Sequence, residues 1–411
     1  MNKPSLSKVA CILFVFCAAT AIASPAQVLT TLHSFSGSDG AYPEAGLVQA
    51  SDGNFYGTTY SGGNGLGTVF KITPSATLTT LYRFCSQGNC SDGASPYAGL
   101  IQATDGNFYG TTFYGGANDN CYAGSCGTVF GITPDGMLTT LHSFDGSDGA
   151  NPVAALVQGA DGNFYGTTVQ GAGSCPAGCG SVFKITPSGT LTSLHAFGGY
   201  DGEYPVGALI QATDGNFYGT TQESCCHGQG TVFRITPGGT FAVLYLFCPQ
   251  GGCTDGANPW AGLVQGTDGN FYGTTEYGGS NGDGVVFKIT PQGTLSTLYN
   301  FCSQGGCADG SEPLAGLVQA SDGNFYGTTY AGGASSNCSG GCGTIFKITP
   351  NGTLTTLHSF SGSDGAAPYG ALVHATDGNF YGTTWGGGAN GEGTVFRLVL
   401  LRACIVCTSV E

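Results

Sequence analysis

Residues 52–59 read Asp-Gly-Asn-Phe-Tyr-Gly-Thr-Thr, and the same eight residues return unchanged from Asp105, Asp161, Asp214, Asp268, Asp322 and Asp377. Successive copies start 53, 56, 53, 54, 54 and 55 residues apart, so the 411-residue chain is seven tandem copies of one unit. Each copy holds four stretches with strand character. In the first copy they are residues 46–50, 54–59, 67–73 and 77–84, the third rich in β-branched and aromatic residues. Asp52-Gly53 reads as a two-residue hairpin turn with both central positions at positive φ, and Pro74 opens the turn between the last two strands. Four antiparallel strands in a repeat of this length make a propeller blade, and seven blades fall within the usual ~4–8.

The ends of the chain predict how the ring closes. Residues 28–35, Val-Leu-Thr-Thr-Leu-His-Ser-Phe, match the fourth strands of later copies such as Leu354 to Phe360. After the seventh copy of the motif comes only a third strand, Gly393 to Leu400. The N-terminal strand is therefore expected to complete the last blade and remove an open sheet edge. The expected fold is an all-β, seven-bladed β-propeller over residues 24–402. Its repeats start near 46, 99, 155, 208, 262, 316 and 371, and a tail follows at 403–411.

Composition agrees. Glycine numbers 74, against about 29 at an average usage of ~7%, and only 9% of residues are charged, which leaves no helix-forming segment. The net charge is −15. Six basic residues, Lys71, Lys184, Arg234, Lys288, Lys347 and Arg397, share one repeat position and are spread around the ring, where pairing with nearby aspartates is expected. A nucleic-acid binder needs a concentrated basic face, so that class is set aside.

Residues 1–23 read as a secretory signal: Lys3 and Lys8, then the apolar Val9 to Ala19, then Ala21-Ile22-Ala23 as the cleavage site. The expected location is extracellular or cell-surface, with no membrane span after cleavage and a monomeric state. The cysteines fall into neighbouring pairs behind that signal: Cys85-Cys90, Cys121-Cys126, Cys175-Cys179, Cys248-Cys253, Cys302-Cys307, Cys338-Cys342, the adjacent Cys225-Cys226 and the terminal Cys404-Cys407. Disulfides are expected, because zinc would need four converging ligands and the pairs lie in different repeats. All but the terminal pair fall in the variable loops of one face, while the opposite face carries the uniform Asp-Gly and Thr-Pro turns.

Repeated positions build scaffold. The loop aspartates Asp39, Asp92, Asp148, Asp201, Asp255, Asp309 and Asp364 are expected to cap turns, since calcium wants six to eight oxygens and each loop offers few carboxylates. His33, His142, His195 and His358 share a position that is Tyr82, Tyr245 or Tyr299 elsewhere; only His227 is unique to its loop. No serine or cysteine nucleophile has a partnered base, and no catalytic residue, metal or cofactor is assigned. Positions that vary between copies are more informative. Before the innermost strand, in Pro-x-Ala/Gly, x is Glu44, Tyr97, Val153, Val206, Trp260, Leu314 and Tyr369. Directly after Thr-Thr stand Tyr60, Phe113, Val169, Gln222, Glu276, Tyr330 and Trp385. The candidate ligand-binding set is Glu44, Tyr97, Trp260, Tyr369, Tyr60, Phe113, Glu276, Tyr330 and Trp385. Exposed aromatics beside carboxylates suit a glycan or protein ligand.

The motif, its Gly-rich loop and Gly-Thr-Val-Phe-Lys-Ile-Thr-Pro-x-Gly-Thr-Leu together resemble the GloVer (Gloeo/Verruco) tandem repeat of choice-of-anchor bacterial secreted and surface proteins, over residues 28–400. The resemblance implies export and a propeller-like domain, and supplies no catalytic residues. Many members carry a C-terminal anchoring segment; Leu398 to Glu411 has no recognisable anchor. The expected role is a binding or adhesion module. The alternatives are a polysaccharide lyase or glycosidase at the channel mouth, and a structural envelope or matrix protein.

Overall fold

The computed structural model describes residues 27–401 except positions 64, 119, 120, 122–124, 174, 177, 226, 227 and 250. The signal segment 1–23, Cys226, His227, the Cys404-Cys407 pair and the tail 403–411 lie outside the described residues.

Seven four-stranded antiparallel sheets form, one per repeat, each in the order inner, second, third, outer. Blade 1 comprises Val48–Gln49, Phe55–Thr59, Thr68–Ile72 and Leu78–Arg83. Blade 7 takes Val373–His374, Phe380–Thr384 and Thr394–Leu400, and its outer strand is Gln27–Ser34 from the start of the chain. That strand pairs from Gln27 with Leu400 to Ser34 with Thr394. The ring thus closes by strand exchange, as the mismatch at the two ends of the repeat array predicts.

The hairpin turn differs from the sequence expectation. Gly53 sits at φ 80°, but Asp52 is not in the left-handed region. Gly53 N–H donates to Ala50 O at 2.9 Å, closing a tight turn over Ser51 and Asp52, and glycine takes the left-handed step that follows. This is the three-residue hairpin loop. The reason lies in the side chain: Asp52 Oδ1 accepts Asn54 N–H at 3.0 Å, which holds the loop without a left-handed aspartate.

The Phe-Tyr pair of the motif joins the blades. Tyr56 stacks on Phe108 of the next blade at 4.1 Å between centroids. The same contact recurs around the ring, ending with Tyr381 on Phe55 at 4.0 Å. The following glycine is obligatory: a Cβ at Gly219 would sit 2.6 Å from the Phe233 ring and 2.8 Å from Leu209. A glutamine on six of the seven inner strands then clamps the preceding blade. Gln102 Oε1 accepts Ser51 N–H at 2.8 Å, and the clamp recurs at Gln158, Gln211, Gln265, Gln319 and Gln49. Blade 7 carries His374 here, which stacks on Phe380 instead.

Both sets of repeated charges are structural. The motif aspartate gathers its own Asn and Tyr, and in four blades a lysine: Lys71–Asp52 at 3.1 Å, Lys184–Asp161 at 3.0 Å, Lys288–Asp268 at 2.9 Å and Lys347–Asp322 at 3.6 Å. The loop aspartates hold backbone N–H groups, as Asp39 does from Ser36, and also the outer-strand His or Tyr, from His33 at 2.7 Å to Tyr245 at 2.8 Å. Six disulfides close variable loops: Cys85-Cys90, Cys121-Cys126, Cys175-Cys179, Cys248-Cys253, Cys302-Cys307 and Cys338-Cys342. Such bridges persist in an oxidising compartment and fit an extracellular protein. No helix among the described residues is long and apolar enough to cross a membrane.

Candidate functional site at the channel mouth

Seven inner strands converge on the axis, and the Ala/Gly residues shortly before them must be small. A Cβ at Gly46 would meet Ala371 O at 2.6 Å, and one at Gly370 would meet Gly46 N at 2.3 Å. Above this Ala/Gly throat, the residue after each proline points into a cavity of about 280 Å³. Glu44, Tyr97, Trp260 and Tyr369 line it, with Val153, Val206 and Leu314 completing the ring.

The residue before each of these prolines is left-handed: Tyr42, Ser95, Asn151, Tyr204, Asn258, Glu312 and Ala367 have φ between 51° and 56°. Five of them are neither Gly nor Asn, and such positions cost about 1–3 kcal/mol when imposed by surrounding structure. The turn has a use. Its carbonyl accepts the N–H of the residue after Thr-Thr: Tyr60 to Tyr42 O at 3.0 Å, Tyr330 to Glu312 O at 2.9 Å and Trp385 to Ala367 O at 3.0 Å. The two variable positions of each repeat, separate in sequence, are thereby tied into one rim. The sequence pattern does not mark these left-handed residues, since the position before a proline ordinarily favours extended backbone.

Aromatic side chains meet across the mouth. The Tyr97 and Tyr369 hydroxyls approach to 3.3 Å and their rings to 6.1 Å. Tyr60 meets Tyr97 edge-on at 5.7 Å, Phe113 lies 6.1 Å from Tyr97, and Trp260 and Tyr330 meet Tyr369 edge-on at 6.0 and 6.1 Å. Tyr60, Phe113, Tyr330, Trp385 and Glu276 are not lining residues; the first three pack on Tyr97 or Tyr369, and the Trp385 indole bonds Glu44. Trp385 is 38% exposed and stacks on Tyr42 at 5.0 Å. Glu276 sits beside Tyr277 and Glu312, where burial first, and the Glu312 charge next among the raising causes, push its carboxyl up.

Glu44 is the one ionisable carboxylate in the cavity lining. Burial pushes its carboxyl up to about 7, opposed in part by hydrogen bonds from the Tyr97 hydroxyl and the Trp385 indole. Its Oε2 is buried without a hydrogen-bond partner. Burial and the Glu44 charge in turn push the Tyr97 hydroxyl up, and burial with the Tyr97 neighbour does the same to Tyr369. Near pH 7 the mouth therefore offers two phenolic O–H groups and a carboxyl poised between its protonated and ionised forms. Two clusters combine a carboxylate with cysteine sulfurs, Glu203 with Cys175/Cys179 and Asp283 with Cys302/Cys307, but those sulfurs are committed to disulfides and are not thiolate ligands.

Solved structures share this architecture. The chain superposes on the extracellular domain of BT4673 from B. thetaiotaomicron with a TM-score of 0.54 at 12% identity, over 90% of this chain and 39% of that one. It superposes on a fungal alcohol oxidase of the AA5 family, in complex with copper, with a TM-score of 0.56 at 13% identity, over 92% of this chain and 76% of that one. At these identities the likeness concerns the fold alone. No curated protein sequence matches the chain. The repeat itself is recognised: the model of the Gloeobacter/Verrucomicrobia repeat matches residues 19–122, 87–254 and 250–403, and the chain belongs to that family.

Proposed function

We propose that the chain is a secreted binding module that takes a glycan or a protein segment at the channel mouth, on its disulfide-stapled face. The observation that carries this reading is the convergence of Tyr97, Trp260 and Tyr369, from three separate repeats, around a cavity that also contains Glu44. Aromatic faces with a few polar groups at a concave site are the usual composition of a ligand pocket. At about 280 Å³ the cavity lies below the ~300–1,000 Å³ of drug-sized pockets, so it suits one terminal sugar or one side chain rather than a buried polymer. The six disulfides staple variable loops between the strands. A glycosidase or lyase reading rests on Glu44 alone; paired-carboxylate hydrolysis wants a second acid ~5–10 Å away, and the described cavity lining supplies none.

The test is a screen of the oxidised protein on a glycan array and against cell-envelope fractions, followed by titration of each hit. Trp260→Ala and Tyr369→Ala are each expected to weaken binding about tenfold or more, as for central aromatic anchors. Undiminished binding by both variants would place the ligand elsewhere on the molecule.

A further inference from the structure

Blade 2 departs from its six siblings at one spot on the outer part of the ring. Where they carry Lys or Arg on the third strand, it carries Gly131. The rest of the cation's surroundings is intact. Asp105 Oδ2 accepts the Tyr109 hydroxyl at 2.7 Å and Asn107 Nδ2 at 3.0 Å, as Asp52 does from Tyr56 and Asn54. In blades 1, 3 and 5 a lysine Nζ completes this group, 2.9–3.1 Å from the aspartate and 5.5–5.7 Å over the tyrosine ring. In blade 2 the same path is a cavity of about 170 Å³ lined by Asn107, Tyr109, Gly131, Met137 and Leu141. Tyr109 is 6% exposed, against 0–2% for its six counterparts.

A second departure meets the first. Met137 is 70% exposed beside this cavity, at a position that is threonine in five other copies. An exposed thioether is a soft, adaptable contact for an aliphatic stem. The carboxylate and ring face are thus arranged as in the blades that hold a lysine of their own, and Met137 adds an apolar edge where those blades carry threonine.

We propose that the outer rim of blade 2 is a docking point for a lysine side chain of a partner protein. Its ammonium reaches Asp105 over the Tyr109 face, and its methylenes lie against Met137. The chain's other blades are the template for this geometry, since each of the three ring-stacked cations is a lysine. A second copy is a poor source: six of the basic residues beyond Lys3 and Lys8 hold the equivalent position in their own blades. The partner is therefore a different, lysine-bearing protein.

Met137 and Met1 are the only methionines, so methyl-labelled methionine places an NMR reporter in the cavity. The probe is Nα-acetyl-lysine N-methylamide, with the norleucine analogue as its uncharged match. Lysine probe should shift the Met137 methyl signal saturably, and the norleucine probe should not. Asp105→Asn keeps an Oδ1 acceptor for Asn107 N–H but removes the charge, and should weaken the titration about fivefold. Gly131→Lys fills the site from within and should abolish the response. No saturable shift, an equal shift with norleucine, or an unchanged response in folded Gly131→Lys overturns the proposal. If Gly131→Lys fails to fold, Asp105→Asn and the norleucine control decide it.

Discussion

Replacing Glu44 by glutamine should make the protein more stable above neutral pH and abolish a pH dependence that the parent chain shows. The folded carboxyl titrates near 7, raised from 4.5 by burial. Between those values the folded state holds a proton that the unfolded chain releases. Stability from protonated Glu44 is therefore fully present below about 4.5, falls as pH rises towards 7, and is gone above it. At ~1.36 kcal/mol per pH unit, the interval corresponds to about 3 kcal/mol. Glutamine keeps the shape and the donor without the charge. The measurement is urea unfolding of both proteins at several pH values from 5 to 8. The repeated aspartates do not interfere, because hydrogen bonds outweigh burial and hold carboxyls such as Asp52 of the motif and Asp364 of a loop down at about 2. Glu276 and Glu312 are also raised by burial, but they are common to both proteins and cancel in the difference. The difference should grow with pH in favour of Glu44→Gln and level off beyond 7. Parallel curves across that range would refute the claim that Glu44 is desolvated.

Four further outcomes follow from the scaffold. His374→Gln should restore the missing clamp onto blade 6 and stabilise by about 0.5–1 kcal/mol, seen as a raised urea midpoint at unchanged slope, because a net hydrogen bond is worth ~1 kcal/mol and the His374–Phe380 stack is lost. Gly219→Ala should destabilise by about 1–3 kcal/mol, since its Cβ enters the Phe233 ring; an unchanged midpoint would contradict that packing. Removing Cys302 and Cys307 together by serine should cost about 2 kcal/mol, the chain-entropy value for so short a loop, measured against the parent without reductant. Deleting residues 27–34 should expose the edge of Thr394–Leu400 and produce self-association in size-exclusion chromatography; a monodisperse, equally stable monomer would contradict ring closure by that strand.

Much of the fold was legible because repetition multiplies each weak signal. One Phe-Tyr pair says little, but seven at a fixed period leave a blade interface as the economical reading, and the stacked rings occupy those seams. The hairpin was less legible, because Asp-Gly serves both a two-residue turn and the longer loop found here, and the Asp52–Asn54 side-chain bond selects between them. The destination of the lysines was legible only as pairing with some aspartate; each repeat offers two, and strand register put Lys71 beside Tyr56 and Asp52.

The sequence by itself determined the number of blades, the strand that closes the ring, the face bearing the variable loops and the neighbouring-cysteine bridges that fall within the described residues. All of these are local or periodic, so spacing and pattern suffice. The tertiary structure alone decided which variable side chains share a space. Tyr97 and Tyr369 are 272 residues apart, and their hydroxyls meet at 3.3 Å because closure brings blades 2 and 7 to either side of Glu44. The same closure desolvates that carboxylate and leaves Trp385 and Glu276 out of the cavity lining, with Trp385 tied to it through Glu44. Contacts across a ring depend on its curvature and on how far each rim residue leans inward, and no repeat viewed singly encodes either.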